Sequence, residues 1–178
     1  MEREQAPGQL ALVERFVNSI DGDRDDIATP EGLRTWLAEA GYADEPTSAD
    51  VERLHEIREG LRSVLDANSG DPVDPAAVAG LNRALAATTM RVRVAEDGSA
   101  ELVAEGGIER LVADLAAAMM AARADGTWAR LKVCRDDTCR WAFYDRSKNR
   151  SGTWCSMEDC GSKAKMRAYR ERRARAAG

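Results

Sequence analysis

The feature that most constrains this chain is the spacing of its cysteines, which are absent from its first 133 residues. Two close pairs, each with four residues between its members, are separated by 15 residues. A structural zinc site needs four ligands that meet in a tetrahedron, and proteins commonly supply them as two such pairs. The pattern therefore predicts a zinc-stabilised module whose ligands are Cys134, Cys139, Cys155 and Cys160.

Other interpretations of the four cysteines stay open at the level of sequence. They could form two disulfides, in three connectivities, but disulfides require an oxidising compartment. An iron–sulfur cluster uses the same ligands. If zinc is bound, protein fills all four coordination positions and leaves none for a reacting water, so the expected role of the metal is structural. Metal removal is then expected to unfold residues 131–178 and to spare the body.

The second cysteine pair needs a special local geometry, because residues five apart on a regular helix are separated by about 140° around its axis. The conflict disappears if the helix starts at Ser156, with Asp159 at the third helical position as in a capping box. Cys155 and Cys160 then occupy the two positions that meet in a hydrophobic staple. A later helix start, at Ser162, is the alternative.

The residues between the two pairs predict a β-hairpin. The segment at 141–145 has the composition of a strand, 146–152 that of a turn, and 153–154 would be the returning strand. The small core of the module is then expected to contain three aromatic residues, which are Trp141, Phe143 and Trp154.

Charge is distributed unevenly along the chain. Residues 1–130 contain 13 Arg, no Lys and 25 Asp or Glu, a net charge of −12. Residues 131–178 contain 13 Lys or Arg and 6 Asp or Glu, a net charge of +7, which accounts for the overall −5. An acidic body with a basic end predicts a polyanionic partner for that end alone.

The basic residues surround the cysteine module in two groups, one in the predicted turn and one along the helix after Cys160. A basic helix beside a zinc site is typical of nucleic-acid binding. Met166, Ala168 and Tyr169 are available to pack this helix onto the module. The alternatives are a solvated helix that docks on the acidic body, or one that binds RNA or an acidic protein surface. The first candidates for DNA contact are Arg146, Lys148, Arg150, Lys163, Lys165, Arg167 and Arg170.

The body before the module has a mostly helical pattern. Alternating residues at 89–95 and 100–105 flank a turn and predict a β-hairpin. The predicted helices cover about 9–20, 30–40 after the Thr29 cap, 47–68, a segment that starts at Asp74-Pro75, and 108–124. The fold class is therefore α+β, with a mostly helical N-terminal domain that contains a β-hairpin. A small treble-clef-like zinc finger follows and ends in a basic helix.

The sequence contains no motif of a known catalytic class, such as a Gly-rich phosphate loop, G-x-S-x-G or H-E-x-x-H. A binding protein rather than an enzyme is therefore expected. No apolar run approaches the roughly 20 residues of a membrane span, and the charged N-terminal sequence lacks a signal-peptide pattern. A cytoplasmic location without membrane contact is expected. Further expected partners are a second copy, bound through the N-terminal domain, and a small-molecule effector.

Residues 134–173 resemble the CGNR zinc fingers. The matching features are C-x-W-x-F-Y-D at 139–145, R-S-x-N-R-S at 146–151, W-C-S-M at 154–157 and the basic helix after Cys160-Gly161. The namesake tetrapeptide of the family departs here, with Ser162 in place of Asn and Lys163 in place of Arg. The second change keeps the charge but loses the guanidinium fork that makes bidentate contacts.

The body is similar to the ABATE-type domain that usually precedes this finger. RFVNSIDG at 15–22 and ATPEGLRTWLAEAG at 28–41 carry that likeness. The resemblance divides the chain into an ABATE-like domain at 1–126 and a CGNR-type zinc-finger domain at 127–178. It implies a stress-induced transcription regulator whose C-terminal finger binds DNA and contains structural zinc.

Overall fold

The computed structural model describes residues 4–176 and has the α+β architecture that the sequence predicts. Its strands form three separate antiparallel pairs. Within residues 4–176, no helix combines the length and the apolar composition needed to cross a membrane. In chain order the elements are α1 (Leu10–Val17), β1 (Ile20–Asp21), β2 (Arg24–Asp25), α2 (Pro30–Glu39), α3 (Ser48–Asp66), α4 (Pro75–Ala86), β3 (Arg91–Val94), β4 (Ala100–Val103), α5 (Gly107–Asp125), β5 (Leu131–Val133), β6 (Ala142–Tyr144) and α6 (Ser162–Ala176).

Side-chain caps set the starts of three helices in the body. The hydroxyl of Thr29 accepts a hydrogen bond from the N–H of Gly32 at 3.1 Å. Thr47 and Asp50 form a reciprocal capping box at the start of α3, and Asp74 caps α4. Each cap satisfies backbone donors that the first helical turn leaves without partners. The predicted helix starts are confirmed for this reason.

The first helix ends earlier than the predicted limit of residue 20, because the chain reverses there. Ile20 pairs with Asp25 in an antiparallel register. Gly22 lies between them with a φ of 59°, a left-handed conformation that glycine adopts without strain. The segment that follows α1 is therefore a tight hairpin.

The core of the body is built around α3, which packs against α1, α2 and α4. Leu54, Ile57 and Leu65 of this helix are fully buried. α4 approaches α3 closely at Gly60, where an added Cβ atom would lie 2.4 Å from the Cβ of Leu81. Glycine at this position therefore sets the spacing of the two helices.

Two arginines of α3 are buried and bind other elements. Arg58 donates to both carboxylate oxygens of Asp25, each at 2.7 Å. Burial alone would raise the pKa of Asp25, but the hydrogen bonds from Arg58 hold it below its usual value. Arg62 donates to the carbonyl oxygens of Val17 and Arg140, each at 2.6 Å. Because Arg140 follows the first cysteine pair, α3 contacts the cysteine module directly.

The hairpin predicted near residue 100 is formed by β3 and β4. Arg91 lies opposite Val103, and Val94 lies opposite Ala100. Val92 and Val94 are 69% and 68% exposed. The alternating pattern therefore identifies the strands correctly, although it does not mark a buried face here.

The structure corrects the strand pairing predicted around the cysteines. β6 pairs with β5, so that Leu131 lies opposite Tyr144 and Val133 opposite Ala142, whereas residues 153–154 form no strand. Leu131, Val133 and Ala142 are at most 1% exposed and belong to the core of the body. β5 supplies apolar side chains to that core, which the segment 153–154 does not.

Candidate metal centre and nucleic-acid surface

The first cysteine pair lies in the loop that joins β5 to β6. The N–H of Cys134 donates to the carbonyl oxygen of Trp141 at 2.8 Å and continues the hairpin ladder. The N–H groups of Cys139 and Arg140 both donate to the carbonyl oxygen of Asp136, at 2.8 and 3.0 Å. Arg140 has a φ of 52°, a left-handed conformation that few residues other than glycine adopt. The loop thus folds back and brings its two sulfur atoms together.

Side chains of the body hold this loop from outside. Arg62 donates to the carbonyl oxygen of Arg140, and the guanidinium of Arg140 lies 2.7 Å from Asp66. Asn18 binds both backbone groups of Ala142, at 2.8 and 2.7 Å. The first pair of cysteines is therefore positioned by contacts that do not involve a metal.

The second cysteine pair lies at the start of the last helical segment. The hydroxyl of Ser156 accepts the N–H of Asp159 at 3.2 Å, as the predicted N-cap requires. Met157–Gly161 then forms a π-helical turn, in which the N–H of Gly161 donates to the carbonyl oxygen of Ser156 at 2.9 Å. The regular helix α6 begins at Ser162. Ser156 therefore caps the π-helical turn, and Ser162 begins the regular α-helix. Each of the two predicted helix starts is present.

The π-helical turn explains how two cysteines five residues apart can meet. Hydrogen bonds of an α-helix span four residues, whereas those of a π-helix span five. The wider turn returns Cys160 to the side of Cys155, and their sulfur atoms lie 3.8 Å apart. The metal-binding geometry is thus built into the backbone of the helix start.

The four sulfur atoms form a compact cluster in which all lie within 4.8 Å of one another. The sulfur atoms of Cys139 and Cys155 are 3.6 Å apart, and no disulfide joins any of the four cysteines. A zinc ion holds four thiolates at about 2.3 Å, which places them about 3.8 Å apart in a tetrahedron. The donor set and its spacing fit structural zinc with closed coordination.

The thiols compete for negative charge. Hydrogen bonds with Cys139 and Cys155 lower the pKa of Cys134, whereas hydrogen bonds with Cys134 and Cys139 raise that of Cys155. Burial raises the pKa of Cys160 to about 12. Neighbouring thiolates disfavour one another's ionisation, so the cluster cannot carry four negative charges without a cation. A divalent ion held by these four cysteines would supply the compensating positive charge, and its binding would release the remaining protons.

A buried ion pair organises the loop that follows β6. Nζ of Lys132 donates to Asp145 at 2.8 Å and to the carbonyl oxygens of Arg150 and Gly152 at 2.5 and 3.2 Å. Asp145 also accepts the N–H groups of Ser147 and Gly152, at 2.9 and 2.7 Å. Burial opposes ionisation of Asp145, but these hydrogen bonds, first among them that of Lys132, lower its pKa to about 2. The shape of the loop is therefore set from inside the protein.

The three basic candidates of this loop have different surroundings. Arg146 is turned toward the body, where it donates to the carbonyl oxygen of Gln5 at 2.6 Å and lies 3.1 Å from Glu4. Lys148 and Arg150 are exposed, and within residues 4–176 neither side chain has an ion-pair partner. The loop therefore presents two unpaired cations to a ligand, and the third stabilises the contact with the body.

α6 extends from the metal centre as an exposed basic helix. It continues directly from the π-helical turn, and Arg167 lies 4.0 Å from the buried carboxylate of Asp136. Lys163, Lys165 and Arg170 are exposed, and none of them has an ion pair in the described part of the chain. The four candidates of the helix thus lie together on one element.

The packing of α6 differs from the prediction. Met166 and Tyr169 are 54% and 50% exposed, so they do not attach the helix to the module. Ala168, the third residue of that prediction, is half-buried, and so is Ala164. The three aromatic residues expected in the small core of the module are each half-buried, namely Trp141, Phe143 and Trp154.

Polar residues outside the predicted set also organise the module. Asp136 accepts the N–H and the hydroxyl of Thr138 at 3.1 and 2.7 Å, and Lys132 and Asp145 form the buried pair. An Asp two residues before a Thr is a recognisable turn signal, which could have identified Asp136. No comparable signal marks Lys132, because its burial depends on the fold.

A cleft of about 1160 Å³ lies between the finger and the helices α1 and α2. Trp36, Trp141 and Trp154 line it, and the metal ligand Cys155 borders it. Glu14, which is 8% exposed, also lines the cleft, and burial raises the pKa of its carboxyl. Ligand pockets occupy about 300–1,000 Å³, so the cleft is large enough for a small molecule.

Fold and site together define a zinc-finger protein of the four-cysteine type, in which a hairpin loop and a helix start supply two ligands each. Two family models match the chain: the CGNR zinc finger over residues 130–173, and ABATE, described as "Putative stress-induced transcription regulator", over residues 10–130. Since the second match covers more than half of the chain, the chain belongs to the ABATE family. Both expected resemblances are confirmed. Among curated proteins, none matches the chain.

Proposed function

We propose that this protein is a DNA-binding transcription regulator whose zinc-held finger presents α6 and the loop at 146–151 to duplex DNA. The observation that carries the proposal is the environment of α6. Its unpaired Lys and Arg side chains surround an exposed helix that continues directly from the metal-binding turn. A helix that is polar on all sides gains little from packing, whereas DNA phosphates would neutralise its charge.

The zinc ion has a structural role in this proposal. Four cysteines would hold it, so no coordination position is left for substrate or water. The proposal therefore assigns binding rather than catalysis to the finger, and no enzymatic step to the chain. Zinc bound by thiolates is also consistent with the reducing cytoplasm, the location expected from the sequence.

The regulatory part of the proposal is supported by the family description, which names a stress-induced transcription regulator. The cleft beside Cys155 supports an effector site, because a molecule bound there would contact both the body and a metal ligand. The effector and a homodimer formed through the N-terminal domain stay predictions of the sequence.

The proposal is tested by DNA binding as a function of salt. If about six phosphates are contacted, log K should fall with log[salt] at a slope near −5. Replacing Lys163, Lys165 and Arg170 by Ala should reduce the magnitude of the slope by about 2.7. The matched control replaces three exposed arginines of the body, Arg34, Arg91 and Arg93, by Ala and should leave it unchanged. Equal effects of the two triple variants would rule out α6 as the DNA-binding element.

The second candidate is a module that binds RNA or an acidic protein surface without sequence-specific DNA recognition. It is favoured by the same unpaired cations, since phosphate contacts alone carry no sequence information. Selection of bound duplexes from a random pool separates the two functions. A regulator should enrich a defined sequence and bind it at least about 10³-fold more tightly than random DNA. Similar affinities for duplex DNA, RNA and heparin would favour the second candidate.

A further inference from the structure

A small pocket opens on the finger where the loop after β6 meets the end of α3. Its volume is about 300 Å³. Within the described residues 4–176, the residues that line it include no aliphatic or aromatic side chain. Six of them are Asn68, Ser69, Arg135, Arg150, Ser151 and Thr153. A pocket of this size and polarity suits a small polar group rather than an apolar ligand.

Two guanidinium groups of the pocket have donors to offer. Arg150 is exposed and has no ion-pair partner in the described part of the chain. Arg135 donates to the carbonyl oxygen of Ser69, and its Nε lies 3.5 Å from Asp71. An arginine has five N–H donors in total, so Arg135 retains several. The negative charge of Asp71 is balanced by Arg135. The positive charge of Arg150 is therefore not neutralised.

The pocket is already formed without a ligand. The backbone of Arg150 has a φ of 53°, and its carbonyl oxygen is fixed by Nζ of Lys132. Lys132 also binds Asp145 and Gly152, so all three of its N–H donors are engaged. Lys132 therefore holds the wall of the pocket, and the two arginines are left to meet the ligand.

We propose that this pocket binds one phosphate group through the guanidinium groups of Arg135 and Arg150. Guanidinium groups bind phosphate oxygens in a bidentate manner. Arg135 is next in sequence to Asp136, whose carboxylate lies 4.0 Å from Arg167 of α6. The source of the phosphate rests on the proposed function: it is a backbone phosphodiester of the DNA that α6 contacts.

The test uses the zinc-loaded full chain and two variants that preserve the fold. Arg150→Asn removes the guanidinium while keeping a residue that tolerates the left-handed backbone, and Arg135→Gln removes the second guanidinium. Arg150→Asn should reduce the magnitude of the salt slope of DNA binding by about 0.9, the value for one phosphate. Arg135→Gln should weaken binding severalfold. Arg34→Gln, on the exposed surface of α2, is the control and should change neither.

A second arm titrates inorganic phosphate and follows the amide resonances of Ser69 and Thr153. Altered DNA binding in both variants, without millimolar binding of inorganic phosphate, supports a DNA phosphodiester. Phosphate-dependent shifts at both amides, with unchanged DNA binding, would support the pocket but overturn DNA as the source. If neither arm responds while the triple variant of α6 loses affinity, the pocket is overturned and the proposed function stands. If the wild type binds no DNA, the proposed function fails and the phosphate titration alone decides the pocket.

Discussion

The two halves of the metal centre differ in what holds them. Cys134 and Cys139 lie on a hairpin whose apolar residues belong to the core of the body and whose loop is bound by Asn18 and Arg62. Cys155 and Cys160 lie on a turn that leads into an exposed helix with little apolar surface to bury. The first half is fixed by the fold, whereas we expect the second to depend on the metal for its attachment.

This difference distinguishes two structural roles that a zinc ion can have in a small domain. In an isolated finger, the metal supplies the folding free energy of the whole module. Here the hairpin is already part of a larger core, so the metal mainly joins α6 to it. The prediction from sequence that metal removal unfolds residues 131–178 is narrowed accordingly: the affected segment should begin after β6.

Metal removal should therefore have the largest effect on stability. The effect should differ between the two halves of the metal centre. Zinc binding to isolated fingers amounts to roughly 10–16 kcal/mol, and a 15-residue helix with mostly polar residues is marginal by itself. Treatment with a chelator should abolish amide protection in α6 and in the π-helical turn while β5 and β6 stay protected. Hydrogen exchange followed by mass spectrometry measures both. Equal loss of protection in β5, β6 and α6 would show that the two halves are not held differently.

Asp145→Asn should cause the next largest loss, because it leaves the charge of Lys132 buried without its partner. Removing one member of a buried ion pair costs about 3–5 kcal/mol. The change can be measured by denaturant unfolding of the zinc-loaded protein. Asp137→Asn is the matched control: Asp137 is exposed, so the change should lie within about 0.5 kcal/mol of zero. Similar costs for the two variants would indicate that the Lys132–Asp145 pair does not stabilise the fold.

Gly60→Ala tests the body without touching the metal centre. The added Cβ would lie 2.4 Å from the Cβ of Leu81 and 2.9 Å from the carbonyl oxygen of Ala77, and such overpacking costs about 1–3 kcal/mol. Zinc affinity should not change. In Gly80→Ala the nearest atom lies 3.5 Å away, so this control should stabilise α4 by about 0.5–1 kcal/mol. Thermal unfolding should show a lower melting temperature for Gly60→Ala and a higher one for Gly80→Ala. Stabilisation by Gly60→Ala would contradict the tight packing of α3 against α4.

Arg62→Gln should have the smallest effect, which we expect on zinc affinity. Arg62 connects α3 of the body to the loop of the first cysteine pair. The variant weakens the support of the carbonyl oxygen of Arg140, which holds the loop of the first cysteine pair. Loss of such outer support lowers metal affinity by about tenfold or more. Competition with a metallochromic chelator measures the affinity. Arg83→Gln removes an exposed arginine of α4 as the control. Unchanged zinc affinity in Arg62→Gln would show that the body does not help to position the ligands.

The sequence predicts those parts of the structure that depend on neighbouring residues. The caps at Thr29, Thr47 and Asp74 define helix starts because each acts within three residues of itself. The cluster of four cysteines is predictable because residue type and spacing both restrict a metal-binding set. The basic surface of α6 follows from composition alone.

The rest depends on contacts across the fold or on the metal. β6 pairs with β5 because both supply apolar residues to a core formed by distant helices, and Lys132 in the middle of β5 hides that role. Arg146 turns toward the body because Gln5 and Glu4 lie there. The π-helical turn at Met157–Gly161 has no propensity signal, since it serves the geometry of the cysteine pair.

The contact between Asn18 and Ala142 has a consequence for how such proteins can diversify. The finger depends on contacts with the body. If it were fused to another chain, it would lose both hydrogen bonds with Asn18 and the apolar neighbours of Leu131 and Val133. Recombination that exchanges fingers between relatives would also have to carry the matching faces of α1 and α3. Exposed residues of α6 face no such restriction, so this helix can change one residue at a time.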